Sequence, residues 1–234
     1  MAYTYPFPAH YVTVDTVIFG SGSTRDTCDL KVLLIERGAK GQPFFGAWAL
    51  PGGFIKPEES LDSAAARELE EETGVKDAFL EQLYTFGAPE RDPRGRVITV
   101  AYFALVNRTE CKLKAGTDAA RARWFDLNAL PELAFDHREI LAKAHARLQG
   151  KVRYEPIGFN LLPRAFTLAQ LHALYEAILD RPIDLSNFRR SILRMNLLRE
   201  AGEEKGVQHR PAKLFRFDEK AYSRLVRHGL HFEV

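Results

Sequence analysis

Short apolar runs rich in β-branched and aromatic residues dominate the first half of the chain, and turn-forming residues separate them. This pattern predicts β-strands at Tyr11–Phe19, Leu30–Ile35, Phe79–Phe86, Val97–Val106 and Ala122–Phe125. A turn is predicted at Gly20–Thr24, between the first two strands. Helical periodicity follows at His137–Leu148. The order of strands and helices predicts an α/β fold, an α/β/α sandwich.

The periodicity becomes mainly helical after residue 150. Thr167 and Gln170 have the spacing of a capping box at the start of a predicted helix, Leu168–Leu179. Asp184 is a candidate N-cap for a second helix, Leu185–Met195. A polar, glycine-containing stretch, a strand-like segment at 213–217 and a helix at 218–228 complete the pattern. Helix, turn, helix and then a β-hairpin with a basic tip is the order of a winged helix.

The boundary between the two halves is the segment Gly150–Arg164. It contains two Pro residues and an internal Gly, but also Phe159, Leu161 and Leu162. Because these apolar side chains need packing partners, we predict an ordered connector and not a flexible tether. The predicted domains are residues 1–150 and residues 151–234, the second including the connector.

Composition limits the class of protein. Hydrophobic residues make up 46% and charged residues 27% of the chain, which is ordinary for a soluble globular protein. No window approaches the roughly 18 uninterrupted apolar residues of a membrane span, and the first ten residues lack the features of a secretory signal. Cys28 and Cys111 form neither a disulfide framework nor a metal site. We therefore expect a cytoplasmic protein with no membrane partner.

The charge is distributed unevenly between the two halves. Residues 1–150 hold 18 Lys and Arg against 21 Asp and Glu, whereas residues 151–234 hold 15 against 10. An acidic first half and a basic second half indicate two units with different partners.

Residues 53–75 hold the densest cluster of candidate chemistry. Ser60 is a plausible N-cap and Gly74 suits the end of a helix. Between them an apolar stripe at i, i+4 and i+8 predicts a helix packed on the core. Glu68, Glu71 and Glu72 would flank that stripe as a tight acidic group, and hard oxygen ligands suit Mg²⁺ or Mn²⁺. The alternative is a solvated acidic helix face with ordinary ion pairs.

The spacing G-x5-E-x7-R-E-L-x-E-E-x-G-V over these residues resembles the Nudix box at every defined position. The resemblance implies a divalent-metal-dependent hydrolase of nucleoside diphosphate derivatives. It implies Glu68, Glu71 and Glu72 as metal ligands, with Glu59 and Arg67 stabilising the box, and these five residues are the predicted catalytic set. The catalytic base is not assigned.

The segment Glu90–Arg96 is similar to the substrate loop of ADP-ribose-type members of that family. The predicted substrate-binding residues are Arg37, Gly53, Asp92, Arg94 and Arg96. Arginine side chains in this loop could pair with phosphate. An exposed hairpin loop is an equally simple explanation of this segment. Phe44 or Trp48 could stack on a base of the ligand, but core packing is the simpler function for each aromatic side chain.

The second predicted helix of the C-terminal half is basic. Arg and Asn side chains on a recognition helix reach base edges and phosphates, and basic residues in a wing suit the DNA backbone. The predicted DNA-binding residues are Asn187, Arg189, Arg190, Arg194, Arg210 and Lys213. The alternative is a basic helix that docks on the acidic first half or only adds solubility.

The sequences NFRRSILRMNLL and RPAKLFRF resemble the C-terminal domain of NrtR-type regulators. Such proteins pair a Nudix-like sensor of ADP-ribose with a winged helix that represses genes of NAD metabolism. The resemblance implies double-stranded DNA and ADP-ribose as partners and a homodimer. Many such regulators have lost box carboxylates, whereas this chain retains them. Two hypotheses follow: an ADP-ribose-hydrolysing enzyme that also binds DNA, and a non-catalytic ADP-ribose-responsive repressor.

Overall fold

The structure is a computed structural model that describes residues 10–23, 27–38, 40–76, 78–111, 113, 119–206, 210–227 and 232. The strands are β1 (Tyr11–Ser23), β2 (Cys28–Arg37), β3 (Trp48–Ala49), β4 (Gly52–Phe54), β5 (Phe79–Phe86), β6 (Val97–Asn107), β7 (Ala119–Asp126), β8 (Phe166–Thr167), β9 (Leu198–Glu203) and β10 (Lys213–Phe217). The helices are α1 (Leu61–Thr73), α2 (His137–Lys151), α3 (Leu168–Leu179), α4 (Leu185–Arg194) and α5 (Glu219–Arg227), with a 3₁₀ helix at Pro156–Leu161. No helix in the described ranges is long and apolar enough to cross a membrane.

Within the described residues, seven strands form the main sheet. Its order is β3-β2-β1-β6-β5, with β4 paired to β1 and β7 paired to β2. β4 runs antiparallel to β1, so that Thr13 faces Phe54, Val14 faces Gly53 and Asp15 faces Gly52. This register places a charged residue of β1 directly beside the glycines that precede α1.

The local signals predicted for α1 are present. The hydroxyl of Ser60 accepts a hydrogen bond from the backbone N–H of Ser63 at 3.1 Å. Gly74 ends the helix at φ 75°, and its N–H donates to the carbonyl of Glu70 at 2.9 Å. Ala65 and Leu69 are buried. The predicted apolar stripe therefore packs on the core and turns the adjacent carboxylates toward its edge.

β1 is longer than predicted, and the turn expected to begin at Gly20 does not form there. The strand continues through Ser23, and the N–H of Gly22 donates to the carboxylate of Asp29 at 3.1 Å. Pairing of β1 with its neighbours β2 and β6 in the sheet overrides the turn propensity of the small residues. Residues 24–26, which complete the predicted turn, lie outside the described residues.

The described chain divides into two compact units: Met1–Ile18, Val32–Ala104 and Lys112–Ala144, and Phe19–Lys31, Leu105–Cys111 and His145–Val234. The connector is ordered, as predicted, because its middle forms the 3₁₀ helix. The hydroxyl of Ser21 donates to the carbonyl of Leu161, and the ring of Phe159 stacks on Phe217 with centroids 4.4 Å apart. The domain boundary at residue 150 stays a prediction.

The C-terminal elements have the arrangement of a winged helix. Thr167 and Gln170 form both hydrogen bonds of the predicted capping box, and Asp184 caps α4 through the N–H of Asn187 at 2.7 Å. β8, β10 and β9 form a three-stranded sheet. Residue 228, the predicted end of α5, lies outside the described residues.

Phe188 anchors α4 to α3 through ring contacts to His172 and Tyr175 at 5.2 Å. Leu185, the other apolar residue of the first turn of α4, is 42% exposed. It occupies the first position of the helix, one turn before the residues that contact α3.

Candidate functional site

Arg67 is the centre of the charge cluster on α1. Its guanidinium donates two hydrogen bonds to the carboxylate of Glu59, at 2.9 and 2.6 Å. It also donates to Glu68 at 2.6 Å and to Glu71 at 3.1 Å. These bonds hold the pKa of Glu59 at about 2. One arginine therefore connects three carboxylates, the first and last of which are 12 residues apart in sequence.

Glu68 and Glu72 line one cavity of about 490 Å³ together with Gly52 and Gly53. The carboxylate of Glu72 accepts the backbone N–H of Gly52 at 2.7 Å. A Cβ atom on Gly53 would stand closer than 3.0 Å to the carboxylate of Glu68. Burial raises the pKa of Glu68 although Arg67 donates to it. A cation near this buried carboxylate would stabilise its charged form.

The donor chemistry at this cavity fits a hard divalent cation. Glu68 and Glu72 offer oxygen ligands, and the missing side chain of Gly53 leaves space beside them. The third predicted ligand, Glu71, has a half-exposed side chain and pairs with Arg67 and Lys56. Over the described ranges, no three His, Cys, Asp or Glu side chains are grouped closely enough to hold a metal ion. Of the three predicted ligands, Glu68 and Glu72 therefore lie at the cavity, and Glu71 is linked to Glu68 through Arg67.

Four of the five predicted substrate-binding residues line the same cavity: Arg37, Gly53, Asp92 and Arg94. Asp92 is buried and binds Arg94 through both carboxylate oxygens, at 2.7 and 3.0 Å. Although burial opposes it, these hydrogen bonds hold the pKa of Asp92 below its ordinary value. Asp92 thus orients Arg94 toward the cavity. Arg96 does not line the cavity and donates to the carbonyl of Gly87 at 2.6 Å.

Sequence reasoning missed a buried polar group that lines the cavity. Arg91 donates two hydrogen bonds to Asp136, at 2.9 and 2.7 Å, and one to Asp15 at 3.4 Å. The signal for Asp15 was present, because a carboxylate in an otherwise apolar strand needs a buried partner. No local signal identified its partner Arg91, which follows 76 residues later in the chain.

The imidazole of His137 belongs to this group and is neutral. Its Nδ1 accepts the backbone N–H of Leu50 at 2.9 Å, so the ring proton is on Nε2, which lies 3.7 Å from a carboxylate oxygen of Asp15. Burial lowers the pKa of His137 although Asp15 opposes the shift. The ring orients Asp15 without adding a charge.

The predicted DNA-binding residues of α4 lie on its exposed face. Asn187, Arg189, Arg190 and Arg194 are exposed, and Phe188 and Ile192 are buried. Arg190 donates to the side chain of Asn187 at 2.6 Å. Asn187, Arg190 and Arg194 also line a shallow cavity of about 320 Å³.

The two candidates on the hairpin differ in their surroundings. Arg210 is exposed. Lys213 pairs with Glu200 across the β9–β10 hairpin at 2.7 Å. A DNA phosphate would have to compete with that carboxylate for Lys213.

Comparison with known families and structures agrees with both halves of this description. The NUDIX domain model matches residues 10–144, and the model described as the NrtR DNA-binding winged helix domain matches residues 158–217. The chain is 36% identical over 235 residues to the ADPR responsive transcriptional repressor NtrR of Acinetobacter baylyi, covering 97% of this chain and 91% of that protein. It is 48% identical over 113 residues to an ADP-ribose pyrophosphatase of Methanocaldococcus jannaschii, covering 48% of this chain and 64% of that enzyme.

Solved structures of Shewanella oneidensis NrtR match as well. The structure of that protein with a 27mer DNA has a TM-score of 0.77 at 35% identity, covering 91% of this chain and 95% of that one. The structure of its Nudix domain with ADP ribose has a TM-score of 0.54 at 38% identity, covering 62% and 94%. The predicted fold, a mixed α/β Nudix unit followed by a winged helix, is confirmed. The chain belongs to the NrtR-type members of the Nudix family, in which a NUDIX domain precedes an NrtR DNA-binding winged helix domain.

Proposed function

We propose that this chain binds and hydrolyses ADP-ribose, or a related nucleoside diphosphate derivative, with Mg²⁺ or Mn²⁺, and that its winged helix binds double-stranded DNA as a homodimer. The observation that carries the catalytic part is that two carboxylates of the box share one cavity with two arginines. Glu68 and Glu72 line the same space as Arg37 and Arg94, so cation-binding and phosphate-binding groups face one ligand.

The residues have separable functions in this proposal. Arg37 and Arg94 bind the diphosphate through charge-assisted hydrogen bonds. Glu68 and Glu72, with Glu71, would hold the divalent ion, and Arg67 and Glu59 keep the carboxylates in place. A divalent ion bound there would neutralise phosphate charge and lower the pKa of a bound water.

The DNA-binding part rests on the exposed basic face of α4 and on the similarity to a repressor and to a DNA-bound structure. A ligand that prefers one state of the protein must alter the affinity for any second ligand that also distinguishes those states. We therefore expect ADP-ribose to change the affinity for DNA.

The test combines two assays on one preparation of the full chain. In the first assay, nucleoside diphosphate sugars and dinucleotides are screened for turnover with Mg²⁺. In the second, the protein is titrated into DNA from the region upstream of its own gene, at low salt, with and without ADP-ribose. Turnover of ADP-ribose together with ligand-sensitive DNA binding is the expected result. Absence of DNA binding by the wild type at low salt would refute the proposed regulatory function.

A second candidate function is a non-catalytic ADP-ribose-responsive repressor. It is favoured by the arrangement of Glu71, which pairs with Arg67 and Lys56, and by the description of the relative from Acinetobacter baylyi as a repressor. The same assays separate the two candidates: this one requires ADP-ribose to bind and to alter DNA affinity, with no turnover at saturating Mg²⁺.

A further inference from the structure

Two phenylalanines beside the cavity have backbone conformations that bulky residues rarely adopt. Phe135 has φ 54° and Phe44 has φ 59°, and their ring centroids lie 4.6 Å apart. Glycine or asparagine is the usual residue at such positions, because a bulky side chain there carries a conformational cost. Phe135 lines the cavity. The strain is therefore located at the ligand-binding cavity.

The ring of Phe135 contacts two arginine side chains. The Cζ atom of Arg37 lies 4.9 Å from the ring centroid and that of Arg94 lies 5.6 Å from it. Both arginines line the cavity. The electron-rich face of an aromatic ring attracts guanidinium groups. Phe135 therefore attracts both arginines, and the ring of Phe54 attracts Arg94 as well, at 5.2 Å.

The two arginines are fixed in different ways. Asp92 binds Arg94 through two carboxylate oxygens, whereas Arg37 donates to the carbonyl of Pro43 at 3.1 Å. Within the described part of the chain, no carboxylate lies within ion-pair distance of Arg37. Burial and the neighbouring Arg94 lower the pKa of Arg37, and the carboxylates of Asp92, Glu72 and Asp15 offset this shift only in part. An anion between these two groups would relieve their repulsion.

We propose that Phe135 is the positioning residue of an arginine pair, Arg37 and Arg94, that selects a diphosphate over a monophosphate. The ring holds the two guanidinium groups so that each contacts a different phosphate of the ligand. This inference rests on the proposed function, because it assigns the phosphate contacts of the same cavity. A residue that only packed, through the rings of Phe44 and His137, would not discriminate between one phosphate and two.

The test measures binding of inorganic pyrophosphate and inorganic phosphate to the full chain by calorimetry, with EDTA present to remove metal. Phe135→Asn removes the ring and suits the positive φ, and Phe135→Gly is a second ringless variant without backbone strain. Phe135→Tyr keeps the ring. Tyr84→Asn is the matched control, because Lys143 lies 4.0 Å from that ring and Tyr84 does not line the cavity.

We expect the wild type to prefer pyrophosphate. We expect both ringless variants to lose about tenfold in pyrophosphate affinity and about twofold or less in phosphate affinity. Phe135→Tyr and Tyr84→Asn should bind as the wild type does.

Three results would overturn the inference: unchanged pyrophosphate affinity in Phe135→Gly, an equal loss for both anions, or an equal loss in Phe135→Tyr. A wild type that binds pyrophosphate selectively but does not hydrolyse ADP-ribose would refute the catalytic proposal. It would not contradict the inference about Phe135 and the arginine pair.

Discussion

The carboxylate of Glu72 lies 2.7 Å from the backbone nitrogen of Gly52, 20 residues earlier in the chain. This hydrogen bond joins α1 to β4, and β4 is paired to the strand that carries Asp15. Glu72 therefore has two functions in the proposal: it positions the glycine segment, and it is a cation ligand.

Replacing Glu72 by Gln separates these functions. The amide oxygen can still accept the N–H of Gly52, but the negative charge is lost. We expect the fold to remain and turnover of ADP-ribose to fall about 100- to 1,000-fold at saturating Mg²⁺. The control is Glu70→Gln on the same helix, where the carboxylate is exposed and pairs with Lys76. Equal initial rates in Glu72→Gln and the wild type would remove Glu72 from the ligand set.

The glycines before α1 make a second, steric prediction. A Cβ on Gly53 would collide with the carboxylate of Glu68, the end of a flexible side chain, whereas a Cβ on Gly52 would collide with the backbone carbonyl of Val14. Gly53→Ala should therefore reduce turnover more than tenfold with little loss of stability, since the glutamate can move away. Gly52→Ala should lower the free energy of unfolding by about 1–3 kcal/mol.

Gly87→Ala is the control for these two variants, because its Cβ would make only ordinary contacts. Rates and urea denaturation are measured for all three proteins. A Gly53→Ala enzyme with wild-type rates would contradict the position of Glu68.

The pair of Glu59 and Arg67 predicts a pH dependence of stability. Hydrogen bonds from Arg67 lower the pKa of Glu59 from 4.5 to about 2 in the folded protein. Because the folded pKa is the lower one, the stabilisation is complete above pH 4.5 and is lost as the pH falls toward 2. Glu59→Gln should therefore lose less stability than the wild type over this interval. Chemical denaturation at several pH values measures it, with the exposed Glu58→Gln as control, and parallel curves for Glu59→Gln and the wild type would refute the pairing.

The exposed face of α4 predicts the DNA-binding variants. Changing Arg189 and Arg190 to Ala should leave turnover and melting temperature unchanged and weaken DNA binding, by about 1–3 kcal/mol for each bidentate base contact. If the side chains contact phosphate, the slope of the logarithm of the binding constant against the logarithm of the salt concentration should become less steep by about one per contact. Fluorescence anisotropy at two salt concentrations distinguishes these cases. The control changes Arg138 and Arg153 together to Ala, which removes the same charge outside α4 and the hairpin. An equal loss of DNA affinity in both double variants would refute a specific DNA-binding function of the exposed face of α4.

The connector predicts the result of truncation. A chain ending at Gly150 loses the carbonyl of Leu161, which accepts the hydroxyl of Ser21. We expect it to remain folded with a lower melting temperature, because β1 to β7 and α1 form their own core. A chain ending at Arg164 keeps the 3₁₀ helix and should be more stable. Loss of the near-UV circular dichroism signal in the shorter chain would show that residues 1–150 do not fold without the rest of the chain.

Sequence reasoning was accurate where the determining interactions are local. The caps of α1, α3 and α4 involve residues within four positions of each other. β3, β4 and β8 were missed, because short strands depend on pairing with distant partners. The contacts of Arg91 and His137 were missed for the same reason, since only the folded chain brings them to Asp15.

The buried polar group of Asp15, Arg91, Asp136 and His137 also makes the electrostatic potential uneven across the cavity. Arg91 places one positive charge between the carboxylates of Asp15 and Asp136, and neutral His137 adds none, so the buried end keeps a net negative charge. Arg37 and Arg94 add two positive charges to another part of the same wall, and Asp92 offsets one of them. We expect a diphosphate derivative to approach with its anionic centre toward these arginines and its uncharged hydroxyl groups toward Asp15. Because dissolved ions screen such a field, the rate of productive encounter should fall with ionic strength more steeply than the rate of the chemical step.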